Sequence, residues 1–123
     1  MSEAPPRPYR APVIVPLVRQ HVEQAAFLWT QYDAVLARPE EFPDMDEERL
    51  ARLVERLDAH LDGVRVAGEE GVRLAEEAYE DFPYAGELFV LRMLQPGANG
   101  KSVADLDIEK VRAYLEAALD PRG

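Results

Sequence analysis

Ala59-His60-Leu61-Asp62-Gly63-Val64-Arg65-Val66-Ala67-Gly68-Glu69 ends one helical pattern and begins another. Upstream, Leu50, Leu53, Val54, Leu57, Leu61 and Val64 recur at the three-to-four spacing that only a helix gathers on one face. Downstream, a second pattern starts at Glu69 and runs through Val72, Ala75, Ala78 and Tyr79. Gly68 between them supplies the left-handed cap that stops the first helix. Gly63, inside the first helix, marks either a close approach of a neighbour or a kink. Helices joined this tightly pack side by side, so the stretch predicts a helical bundle or a helical-repeat-like array.

The same logic extends in both directions. Pro16 suits the first turn of a helix that continues to about Ala37. Its stripe is Val18, Val22, Ala25, Leu28, Trp29, Tyr32, Val35 and Leu36, with small Ala25 and Ala26 where a neighbour comes close. Arg38-Pro39 ends it, because proline is barred from a helix interior. The next helix starts near Asp44 or Asp46, with Glu47 and Glu48 at its positive end. The third spans Glu69 to about Asp81 before Pro83. A fourth, from about Gly86 to Leu94, is apolar almost all round and is expected to be buried. A last helix runs from about Leu106 to Leu119, capped near Asp105 or Asp107. The pattern does not decide whether Val103 to Asp105 is helical. No segment alternates with period two. The expected fold is all-α with about five helices: one helical domain over residues 13–120 behind a disordered, proline-rich N-terminal tail over residues 1–12. Pro5-Pro6-Arg7-Pro8 in that tail has polyproline character, the kind of run that proline-binding modules take.

Composition narrows the function classes. A chain of 123 residues is one domain by length and long enough to bury a core. It has no cysteine, which removes disulfides, thiolate metal sites and thiol nucleophiles together. Met1 to Arg10 has no signal-peptide pattern. The apolar run Ala11 to Val18 is broken by Pro12 and Pro16 and is far shorter than the ~20 residues of a membrane span. A cytoplasmic location is expected.

The net charge is −10, and residues 46–100 carry 13 acids against 6 arginines. Glu69 to Asp81 alone holds six acids and one arginine. Nucleic acids demand a basic footprint, so they are excluded as partners, and anionic membranes are disfavoured. An acidic face keeps a protein in solution; it also draws in a basic protein partner. The candidate partner-binding residues are therefore Glu69, Glu70, Glu76, Glu77 and Glu80. Phe27 joins them, because Phe27 and Trp29 are two residues apart and cannot both face the core. Tyr79, Phe82 and Tyr84 are expected to form an aromatic knot around Pro83.

Signals for chemistry are weak. His21 lies about 16 residues before the end of the first helix and His60 about 14 after the start of the second, which at ~1.5 Å per residue puts them level in an antiparallel hairpin. With Glu23 or Asp62, that pair is the one conceivable metal site. Helical metal sites, however, carry ligand pairs at i, i+3 or i, i+4. His21 has Leu17, Val18, Gln24 and Ala25 at those offsets, and His60 has Arg56, Leu57, Gly63 and Val64. The expected role is a hydrogen bond across the hairpin, with no metal and no cofactor. Ser2, Thr30 and Ser102 are the hydroxyls other than tyrosine, and neither serine has a histidine near in sequence. Gly97-Ala98-Asn99-Gly100-Lys101-Ser102 ends like a P-loop, but Gln95 stands where that motif needs glycine and no strand precedes it. Glu76-Glu77 point apart on a helix surface and read as a solvated face.

Two segments carry a resemblance. His21-Val22-Glu23-Gln24-Ala25-Ala26-Phe27-Leu28-Trp29 and Ala59 through Gly71 resemble the N-terminal region of an uncharacterised proteobacterial family. Its members continue into HEAT-like helical repeats, and some are encoded near type VI secretion genes. The resemblance spans about residues 13–95 and implies a non-enzymatic interaction protein, such as an adaptor or an immunity protein in a secretion or toxin setting. It brings no catalytic residue. The chain ends at Asp120-Pro121-Arg122-Gly123, about where the repeats of that family would begin. A repeat end without its neighbour leaves apolar surface uncovered. The last helix or the fourth is therefore expected to dock on a partner or on a second copy. The rival expectations are a metal-binding protein built on His21 and His60, and a purely structural dimerisation or capping module.

Overall fold

The computed structural model describes residues 13–98 and 100–120. The expected proline-rich tail and its Pro5-Pro6-Arg7-Pro8 run lie outside the described residues, as do Ser2, Asn99 and residues 121–123. Five α-helices occupy most of the described residues: α1 Val15–Ala37, α2 Glu47–Val66, α3 Glu69–Asp81, α4 Ala85–Met93 and α5 Ile108–Leu119. Short 3₁₀ turns at Pro39–Glu41 and Val103–Asp105 precede α2 and α5, and no strand occurs among the described residues. The all-α expectation is met. No helix among these residues is long and apolar enough to cross a membrane.

Local chemistry sets the helix ends. Pro16 sits in the first turn of α1, where its missing N–H needs no partner. The Asp46 carboxylate accepts the Arg49 N–H at 2.8 Å and starts α2. Gly68, at φ 61°, stops α2 and is at once the residue that caps α3. Asp107 accepts the Lys110 N–H at 3.3 Å. It starts α5 two residues later than the apolar pattern suggests, because Val103–Asp105 closes its own turn first.

The core lies where α1 meets α2 and α4. Val22, Ala25, Leu28, Trp29 and Tyr32 are buried against Leu53, Leu57, Leu61 and Val64 of α2 and against Phe89, Val90 and Met93 of α4. Trp29 stacks on Phe89, with ring centroids 4.0 Å apart and planes 10° from parallel. Glycines permit the two tightest approaches. A Cβ on Gly86 would lie 2.5 Å from the Ala26 carbonyl oxygen, and one on Gly71 would collide with that of Val64. Small residues thus bring α4 onto α1 and the first turn of α3 onto α2.

One expectation needs correction. The aromatic knot does not form: Tyr79 packs on the core, whereas Phe82 and Tyr84 are 56% and 65% exposed. The Tyr84 N–H donates to the Phe82 carbonyl at 2.8 Å across Pro83, and this tight turn leaves both rings exposed instead of gathered on Tyr79. Helix α4 is buried, as its nearly all-apolar sequence predicts. Gly86, Leu88, Phe89, Val90 and Met93 are buried within this one chain, because α1, α3 and α5 surround the helix.

Candidate functional site

Three helices build one concave surface. Arg19, Val22 and Glu23 of α1, Glu77, Ala78, Glu80 and Asp81 of α3, Phe82 beyond it, and Glu87 of α4 line a cleft of about 430 Å³. Five carboxylates face it, and Arg19 is the single cation among the described residues of its lining. Spacing explains the gathering. Arg19, Glu23 and Phe27 recur every four residues along one edge of α1, and Glu77, Glu80 and Asp81 share the last turn of α3. Glu87 sits in the first turn of α4, whose positive end favours a carboxylate. Burial nevertheless pushes the Glu87 carboxyl above its ordinary value, while a backbone hydrogen bond acts against that rise. A cation placed beside that half-buried carboxyl would draw it back toward its ionised form, since burial is what holds it up.

The candidate partner-binding residues divide into two sets. Glu70 and Glu77 are engaged by α3 itself: Arg73 pairs with Glu70 and, at 2.8 Å, with Glu77, whose other oxygen meets Arg19 at 3.2 Å. The Arg73 hydrogen bond, with the nearby Arg73 and Arg19 charges, holds the Glu70 carboxyl below its ordinary value, against a smaller opposing effect of burial. Glu69, Glu76 and Glu80 are exposed and make no ion pair among the described residues. Phe27 is 62% exposed while Trp29 is buried, as their two-residue separation requires. Of the six, only Glu77 and Glu80 line the cleft. Glu23, Asp81, Phe82 and Glu87 join them there. An acid-rich run in sequence revealed the α3 contribution; nothing local announces that α1 and α4 add to it.

The histidines meet as the hairpin arithmetic expects. The His21 and His60 Nδ1 atoms are 2.9 Å apart, with ring centroids at 5.2 Å and planes tilted by 51°. The His21 ring lies against Gly63, where a Cβ would come within 2.6 Å of it. Gly63 therefore serves close approach rather than a kink, and α2 runs through it unbroken. Burial first, then the charges of His21 and Arg56, hold the His60 imidazole below its ordinary value. Among the described residues, no group of three His, Cys, Asp or Glu side chains is arranged to hold a metal ion.

The hydroxyls are occupied structurally. Thr30 donates to the Ala26 carbonyl at 3.0 Å. Ser102 donates to the Asp58 carboxylate at 2.6 Å, and the Val103 N–H donates to the other oxygen of that carboxylate at 2.9 Å. Gly97-Ala98 and Gly100-Lys101-Ser102 follow a helix and lead into a three-residue 3₁₀ turn, so the strand–loop–helix frame of a phosphate-binding loop is absent from this segment.

Fold and cleft together define an all-α bundle with a concave acidic surface. No family model, curated protein or solved structure matches the chain.

Proposed function

We propose that the protein is a non-enzymatic protein–protein interaction domain whose acidic cleft takes a basic segment of a partner. The observation that carries this reading is the convergence of Glu23, Glu77, Glu80, Asp81 and Glu87 from three helices around one concave surface with a single lining cation. Such a surface steers cationic chains toward it and disfavours acidic ones. Phe82, exposed at the cleft, offers a ring face to an arginine or lysine. Phe27 continues the α1 edge beyond Glu23 and extends the contact surface. The setting that the family resemblance implies, an adaptor or an immunity protein beside a secretion system or toxin, agrees with a basic protein ligand.

The variant that tests this reading spares Glu77, because reversing its charge would set a lysine against Arg19 and Arg73. Glu80→Lys combined with Asp81→Lys is instead measured by fluorescence anisotropy against a labelled arginine-rich peptide. Binding is expected to weaken with salt in the wild type and to fall by roughly tenfold or more in the double variant, with little change in melting temperature. Equal binding by the two proteins removes the cleft from the function.

A further inference from the structure

The seam between α1 and α2 contains one contact that the cleft does not use. Two imidazoles meet there through like atoms, Nδ1 to Nδ1, at 2.9 Å. Such a bond needs a proton on one ring and a free lone pair on the other. In the neutral pair, one ring carries its proton on Nδ1 and the other carries its own on Nε2. A first added proton goes to the free Nε2 of the donor ring and leaves Nδ1–H···Nδ1 intact. A second removes the last acceptor, so that two N–H groups and two positive charges face each other.

We propose that the His21–His60 contact is an acid-sensitive latch on the α1–α2 hairpin, closed while the pair holds at most one extra proton and opened by the second. Relief by moving apart is limited on the side where the His21 ring already rests on Gly63. Among the described residues, the charged groups acting on His60 are cationic or become so: His21 across the seam and Arg56 one turn earlier on α2. The carboxylates that α3 and α4 bring to α1, Glu77, Glu80, Asp81 and Glu87, gather instead with Arg19 and Glu23 at the cleft. The latch stands whether or not the cleft binds a partner.

The sign follows from linkage. The His60 imidazole binds its proton less readily in the folded chain than in the unfolded one. Its contribution to stability is complete above its unfolded value of about 6.5 and is lost as pH falls through its folded value. Glu87 acts in the opposite sense, because burial raises its carboxyl and acidification then favours the fold. Glu70 is held low by Arg73, so its loss comes at more acidic pH than that of an ordinary carboxylate.

The test compares melting temperatures of the wild type and His60→Gln between about pH 7.5 and pH 5, a window above most carboxylate titration. The wild type is expected to lose roughly 5 °C more than the variant across that range. Imidazole ¹⁵N spectra of the wild type provide a second reading that does not require the variant to fold. They are expected to show a hydrogen-bonded Nδ1 pair that titrates in two separated steps, the second below about 6.5. Two rings titrating independently near that value, or the same pH dependence in both proteins, would overturn the proposal. So would a rise in wild-type melting temperature at pH 7.5 on adding zinc alone that His60→Gln abolishes, because the pair would then be a ligand set.

Discussion

Helices α4 and α5 are neighbours of opposite character. The shorter, α4, buries five of its nine residues, stacks Phe89 on Trp29 and lays Gly86 against the backbone of α1. The longer, α5, buries only Val111 and Leu115 of its twelve. Polar tethers complete its attachment. Arg112 donates to the Asp33 carboxylate at 2.6 Å and to the Asp33 carbonyl at 3.1 Å, and Arg92 of α4 lies 5.3 Å from the centre of the Tyr114 ring. Length does not determine how firmly a helix is held; the number of sides on which it packs does. Most of the stability of a short helix comes from such packing rather than from its own propensity.

Phe89→Ala gives the largest expected effect, a loss of about 3–5 kcal/mol in urea unfolding, because it removes a fully buried ring and leaves a cavity beside Trp29. Leu115→Ala on α5 should lie at the lower end of the buried-leucine range, about 2 kcal/mol. Equal losses at the two sites would break the contrast. Gly86→Ala comes next. Its new methyl meets the Ala26 carbonyl oxygen and the Thr30 hydroxyl, neither of which can swing away freely, and the expected cost is about 1–3 kcal/mol by thermal melting. An unchanged melting temperature would show that α4 has room to retreat from α1. Arg112→Met is the mildest. It costs about 1 kcal/mol, since the pair it breaks is partly exposed. Amide hydrogen exchange sharpens the contrast here: α5 should open faster while α4 stays protected.

The helices were legible because their signals are local. Apolar spacing drew the faces, Gly68 marked the end between α2 and α3, and of the two cap pairs the sequence left open the structure takes Asp46 over Asp44 and Asp107 over Asp105. The level placement of His21 and His60 followed from helix rise alone. Contacts between distant polar groups were not legible, because no period links their positions. Asp58 ties down Ser102 and Val103 from 44 and 45 residues away, and Arg112 reaches Asp33 across 79. The candidate site was half visible for the same reason. Clustering in sequence exposed the acids of α3, whereas Glu23 and Glu87 join them only once α1 and α4 are side by side. The aromatic knot failed because side-chain type said nothing about the tight turn that the Tyr84 N–H and the Phe82 carbonyl close across Pro83.

Arg65 has a consequence for the last third of the chain. Its side chain is nearly enclosed, at 10% exposure, and its guanidinium donates to the carbonyls of Met93 and Ala98 as well as to Asp62. Those carbonyls stand where the path leaves α4 and heads toward α5. A flat ion with donors in fixed directions transmits angle as well as distance. The direction in which the chain departs from Met93 is thereby referenced to α2, as a compass bearing is to its needle.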